Sequence, residues 1–139
     1  MVKIVPVKDI FIFAEAWVTI ALARLILLFV PFSRIIPLMG KPVDTNENVI
    51  ENKRELYDIQ VAINRACRYS FWRTMCFEQA LCAKWMLKRR KYASTIYFGI
   101  KKEQADNLIQ AHAWVVCNNE IVTGGKQAGE FKVISRFYQ

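Results

Sequence analysis

Two residue types in this chain could combine into a nucleophile and its base: a cysteine, Cys76, and the single histidine, His112. A thiol attacks carbon efficiently only as the thiolate. Its pKa falls from about 8.5 at a helix N-terminus or beside an imidazolium. Cys76 opens a run of helix-favouring residues, and His112 lies between Ala111 and Ala113 at the start of an apolar segment. If that segment is a strand stacked against the N-terminus of the Cys76 helix, thiol and imidazole can meet as they do in nucleophilic catalysis. The competing reading is structural, because free cysteine is a buried residue type and a lone histidine is often a packed aromatic. Cys67, Cys82 and Cys117 fit that reading. No two cysteines form a Cys-x-x-Cys pair, so neither a metal site nor a cofactor is expected.

These residues need elements to hold them. From Thr74 to Arg90, Phe77, Ala80, Leu81, Lys84, Trp85 and Lys88 fall on successive turns, which predicts a helix with Thr74 as N-cap and Cys76 in its first turn. Phe77 stands three positions after Thr74, so no capping box is expected there. Ile50, Leu56, Ile59, Ile63 and Ala66 predict a second, amphipathic helix over Val49–Tyr69. The segments 94–100, 112–116, 121–123 and 131–137 are rich in β-branched and aromatic residues and read as strands, with Asn118-Asn119 as a hairpin turn. Gly40, Pro42, Asp44, Asn46 and Asn48 mark a linker. The expectation is one α+β domain over 1–139, with N-terminal helices packed on an antiparallel sheet: an apolar leading helix (1–37), a linker (38–52) and a catalytic core (53–139).

Ile10–Val30 is apolar over roughly the 20 residues that a membrane span needs. Glu15 and Arg24 interrupt it, each costing about 2.5–3.5 kcal/mol at a bilayer centre, and Pro31 ends it. A helix packed on the domain, or lying along a bilayer surface through residues 10–30, fits better. Lysine and arginine number 20 against 12 acidic residues, which suits an anionic partner. Aromatic and basic residues are not interleaved as a nucleic-acid platform requires, so nucleic acid is not expected as a partner. No signal-peptide pattern is seen, and free thiols suit a cytoplasmic location, with membrane association through the apolar helix as the variant.

The run Met75-Cys76-Phe77-Glu78-Gln79-Ala80-Leu81-Cys82-Ala83-Lys84-Trp85-Met86-Leu87-Lys88-Arg89-Arg90, then Ile96-Tyr97-Phe98-Gly99-Ile100, then Ala111-His112-Ala113-Trp114-Val115, then Val122-Thr123-Gly124-Gly125, resembles the B proteins of lasso-peptide biosynthesis in their split, peptidase-only form. The match is close over Trp72–Gly125 and looser over Ala14–Arg34. That family consists of transglutaminase-like relatives of papain. The resemblance implies a papain/transglutaminase-like fold and a cysteine protease that removes the leader from a ribosomally made precursor peptide. A partner lasso cyclase then closes the ring. It also implies a separate small leader-recognition protein as partner. By the same resemblance Cys76 is the nucleophile and His112 the base and later the acid.

Relatives usually carry an acid on the strand after the histidine strand, where this chain reads Ile121-Val122-Thr123-Gly124-Gly125. With a turn at Asn118-Asn119, alternation predicts His112, Trp114 and Val116 on one face with Ile121 and Thr123, and Glu120 facing away. Thr123 is then the candidate third member. The backbone N–H of Cys76 is the natural oxyanion donor, with Trp72 and Arg73 considered for a second. The missing acid motivates an alternative: an inactive adaptor of the same fold that binds precursor or cyclase.

Overall fold

A computed structural model describes residues 4–39, 41–42, 53–72, 74–102, 108–117 and 120–138. The first apolar run forms helix α1 (Val7–Phe29). It stops where Val30, the residue before Pro31, is extended at φ −109° and ψ 131°, because the proline ring disfavours helical backbone at the position before it. Its buried residues, Ile12, Ala16, Thr19, Ile20 and Ala23, recur at helical spacing and face α3 (Lys53–Arg68) and α4 (Cys76–Arg89). Helix α3 answers with Leu56, Ile59, Ala62, Ile63 and Ala66 on one stripe. Of its predicted range, residues 49–52 lie outside the described residues.

Helix α4 lies between these helices and the sheet, so it is buried nearly all round, Lys84 included. The Lys84 ammonium meets this burial by donating to the carbonyl oxygens of Ser94 and Phe137. The helix ends in a Schellman turn, with Tyr92 N–H donating to Leu87 O at 2.9 Å and Lys91 N–H to Lys88 O at 2.9 Å. Lys91 takes the left-handed conformation, φ 61°, that glycine usually supplies.

The sheet is antiparallel, in the order β1-β5-β2-β3-β4, from β1 (Lys41–Pro42), β2 (Thr95–Lys102), β3 (Ile109–Cys117), β4 (Glu120–Thr123) and β5 (Lys132–Tyr138). The α+β class expected from the sequence is therefore the observed one. Two of the predicted linker positions are instead strand β1; proline is tolerated there because an edge strand has a ladder on one side only. Leu38 and Met39 end a 3-10 turn (Ile36–Met39), and residues 40 and 43–52 lie outside the described residues. Two short helices were not anticipated, α2 (Phe32–Ile35) and α5 (Gly125–Ala128).

The two sheet faces differ. Ile96, Ala113, Val115 and Cys117 pack into the core with the helices. Phe77 of α4 stacks on Phe98, the register partner of Ala113, with centroids 5.2 Å apart. On the other face Tyr97 stacks on Trp114 at 5.7 Å, and Phe131 covers His112 at 5.1 Å.

Candidate active site

Cys76 is the first residue of α4, and the preceding Met75, extended at φ −93° and ψ 156°, is the N-cap. The predicted cap, Thr74, lies one residue outside the helix entry, and its hydroxyl accepts instead from Gln79 Nε2 at 3.2 Å. Moving the cap by one makes Glu78 the third helical residue. Its carboxylate accepts from Met75 N–H at 3.4 Å, which is half of a capping box.

Glu78 is almost wholly buried and carries two further partners: Arg24 at 2.8 Å and the Trp72 indole N–H at 3.2 Å. Arg24, a charge inside an apolar helix, thus acquires a reason. It reaches α4 and neutralises the acid that anchors the turn before Cys76. Sequence analysis missed Glu78. The available signal was one charge in an otherwise apolar helix and one acid in the first turn of another. Trp72 is committed to Glu78, which removes its N–H from the oxyanion candidates. Arg73 lies outside the described residues. The first N–H groups of α4 have no acceptor within the helix and converge, with the helix dipole, on the region where charge on a sulfur or a tetrahedral oxygen would develop.

His112 lies on β3, nine-tenths buried, opposite Gly99 of β2. Cys76 and His112 both line one cavity of about 290 Å³, whose wall is mostly apolar: Phe77, Phe98, Ile134 and Phe137 contribute to it. Met75 and Phe77, the neighbours of Cys76, also border a groove of about 390 Å³ with Leu27 and Leu28 of α1. Among the described residues no hydrogen bond joins the thiol to the imidazole. Strand alternation turns His112 to the face of Trp114, whereas α4 packs on the face of Ala113. Hydrogen bonds of catalytic pairs often tighten only when substrate is bound, and here the imidazole would also have to turn toward the α4 face; the cavity that both residues line is the observation that links them.

The imidazole has a partner on its other nitrogen: Nε2 is 2.9 Å from the carbonyl oxygen of Gly124. The expected contact with Thr123 is not made. Val116 pairs with Ile121 as alternation predicts, but Val115 then pairs with Thr123, so Val122 is an extra residue in a β-bulge. The bulge turns Thr123 to the helix-facing side with Val115, where its buried hydroxyl has no hydrogen-bond partner among the described residues. Asn118-Asn119, the proposed turn, lies outside the described residues. Glu120 pairs with Cys117, five residues from His112, or about 17 Å along the strand.

The other thiols sit differently. Cys82 is fully buried, its sulfur directed at Ala16 O (3.6 Å) and Met86 Sδ (3.8 Å), and burial pushes its pKa far up. Cys117 is also buried and directed at Ala93 O at 3.3 Å. Cys67 is half-buried, and burial raises its pKa, partly offset by a hydrogen bond with Thr74.

Compared with known proteins, residues 16–136 match a family model described as the transglutaminase-like superfamily. Neither a curated protein nor a solved structure gives a significant match.

Proposed function

The chain belongs to the transglutaminase-like superfamily, which includes cysteine peptidases, and on that premise we propose that it is a cysteine peptidase that cuts the leader from a lasso-peptide precursor. The observation that carries the reading is the cavity shared by Cys76, at the start of α4, and His112. His112 Nδ1 takes the proton of the Cys76 thiol, and the thiolate adds to the scissile carbonyl carbon. The oxyanion is met by N–H groups of the first turn of α4. The C–N bond breaks as the imidazolium returns its proton to the leaving amine, which leaves a thioester. Water, deprotonated by the same imidazole, hydrolyses the thioester and releases the thiol.

The single domain that performs this comprises the catalytic core (53–139) and the apolar leading helix. Its partners are the precursor peptide, a separate small leader-recognition protein and a lasso cyclase. The enzyme is cytoplasmic and rests on the membrane surface through residues 10–30. Support for that contact comes from the outward side of α1, where Phe11, Val18, Leu22, Leu25 and Phe29 are at least half exposed. Glu15 and Arg24 are both turned inward to partners on α4. Positive net charge favours an anionic bilayer.

The test is mass spectrometry of a cognate precursor incubated with the protein and its leader-recognition partner. We expect cleavage at one site, lost in Cys76→Ala and in His112→Ala. Cleavage that survives Cys76→Ala rejects the reading. The lack of a thiol–imidazole hydrogen bond favours one competitor, an inactive adaptor. An uncut precursor that nevertheless binds the chain would establish that alternative.

A further inference from the structure

We propose that the backbone carbonyl of Gly124 is the positioning group of the site, setting the tautomer and plane of His112 in place of an acidic side chain. The inference rests on the reading of His112 as the base. A carbonyl oxygen can only accept, so the 2.9 Å contact with Nε2 requires the proton on Nε2. In the neutral ring Nδ1 then holds the lone pair, the form a base needs. Two aromatic rings hold the imidazole plane, Trp114 at 5.8 Å and Phe131 at 5.1 Å between centroids. Among the described residues no carboxylate reaches the ring.

Glycine is required at position 124 for two separate reasons. Its φ is +75°, in the region that residues with a Cβ avoid. A Cβ there would also lie 2.9 Å from His112 Nε2, 2.9 Å from Ala113 O and 3.0 Å from Trp114 Cβ. Those atoms are a backbone oxygen, a ring nitrogen held between aromatic neighbours and a Cβ fixed to its own backbone, so they cannot easily give way. The close approach that delivers the carbonyl to the imidazole therefore excludes any side chain at this position, including the acid that would otherwise orient the ring. The bulge in β4 completes the arrangement by turning Thr123 away and Gly124 toward His112. Here the ring is oriented by a dipole rather than by a charge, and that dipole does not titrate.

Because the chain has one histidine, nitrogen NMR of the 15N-labelled full-length protein reports this ring alone. Long-range 1H–15N spectra of the neutral ring are expected to show the Nε2–H tautomer, with an Nε2 proton protected from solvent exchange. Thr123→Ala should leave that signal unchanged. Gly124→Ala should abolish the protection and lower kcat for precursor cleavage by about 10²-fold with little change in KM. Should Gly124→Ala fail to fold, the wild-type spectrum still decides. An Nδ1–H ring, or one exchanging freely, in an active enzyme overturns the positioning role alone. A protected Nε2–H in a wild-type protein that cuts no precursor overturns the reading of His112 as base, and the positioning role with it.

Discussion

Cys76 differs from the other three cysteines in its surroundings rather than in its chemistry. It is partly buried, as Cys67 is, but stands at a helix start and lines a cavity, whereas Cys82 and Cys117 are sealed in the core and Cys67 has its thiol pKa raised by burial. Limiting iodoacetamide should therefore modify Cys76 first, Cys67 more slowly, and Cys82 and Cys117 only on unfolding; peptide mass mapping reads the order. Modification of Cys82 in the native state before Cys76 would contradict this account. Cys82→Ala and Cys117→Ala should retain cleavage and cost about 1–3 kcal/mol in urea denaturation, the usual loss for a buried side chain that is shortened. The Cys–His pair could be proposed from residue types alone. The Gly124 carbonyl could not, because a backbone oxygen has no signature in sequence.

At the scale of elements, the start of α4 is held by a buried cluster in which Arg24 of α1, Trp72 and Met75 all meet the Glu78 carboxylate. Removing Arg24 leaves that carboxylate buried with two neutral donors. Arg24→Leu should cost about 1–3 kcal/mol, the lower part of the range for broken buried pairs, because the guanidinium is about a third exposed. The double variant Arg24→Leu/Glu78→Leu should be no less stable than the single one, since it removes the unpaired charge. Urea midpoints decide this, and a double variant clearly worse than the single would refute it. If the cluster positions the thiol, Arg24→Leu should also slow alkylation of Cys76. The helix itself was legible from its periodicity, but the cap was misassigned by one residue. Thr74 has the better capping side chain, yet the chain enters the helix at Met75, where Glu78 can reach back to its N–H.

For the whole molecule, the helices are clasped at the end opposite the thiol. Glu15 of α1 meets Arg89 at 2.8 Å and Arg90 at 2.5 Å, and Arg90 also reaches Glu55 of α3 at 3.4 Å. Burial pushes the Glu15 carboxyl up, but hydrogen bonds and charge from Arg90 and Arg89 together outweigh it and hold the pKa below the ordinary value of 4.5. A carboxylate depressed on folding stabilises the fold above its unfolded pKa and loses that contribution as pH falls through the folded one. Melting temperature should therefore drop below about pH 4.5, and Glu15→Gln should lower it at pH 7 and flatten that drop. An unchanged pH dependence in Glu15→Gln would remove Glu15 as a cause. This clasp also ties α1 to the domain, so it favours surface contact over spanning. The membrane proposal predicts flotation with anionic vesicles, weakened in Leu22→Glu/Leu25→Glu; equal flotation of the two proteins would reject it.

Periodicity, composition and a short set of motifs determined which segments are helix and strand, the α+β class, the candidate thiol and its candidate base. These are local properties, written in which residues repeat at 3.6 or at 2 and in which types can carry the chemistry. Tertiary structure decided what those residues meet. Arg24 lies 54 positions from Glu78 along the chain, yet their contact arises because α1 crosses α4. The register of β4 was open to a one-residue bulge that reverses every side chain beyond it, and so Thr123 left the imidazole and Gly124 reached it. Such contacts depend on how faces pack and where one extra residue falls, quantities that no local pattern encodes.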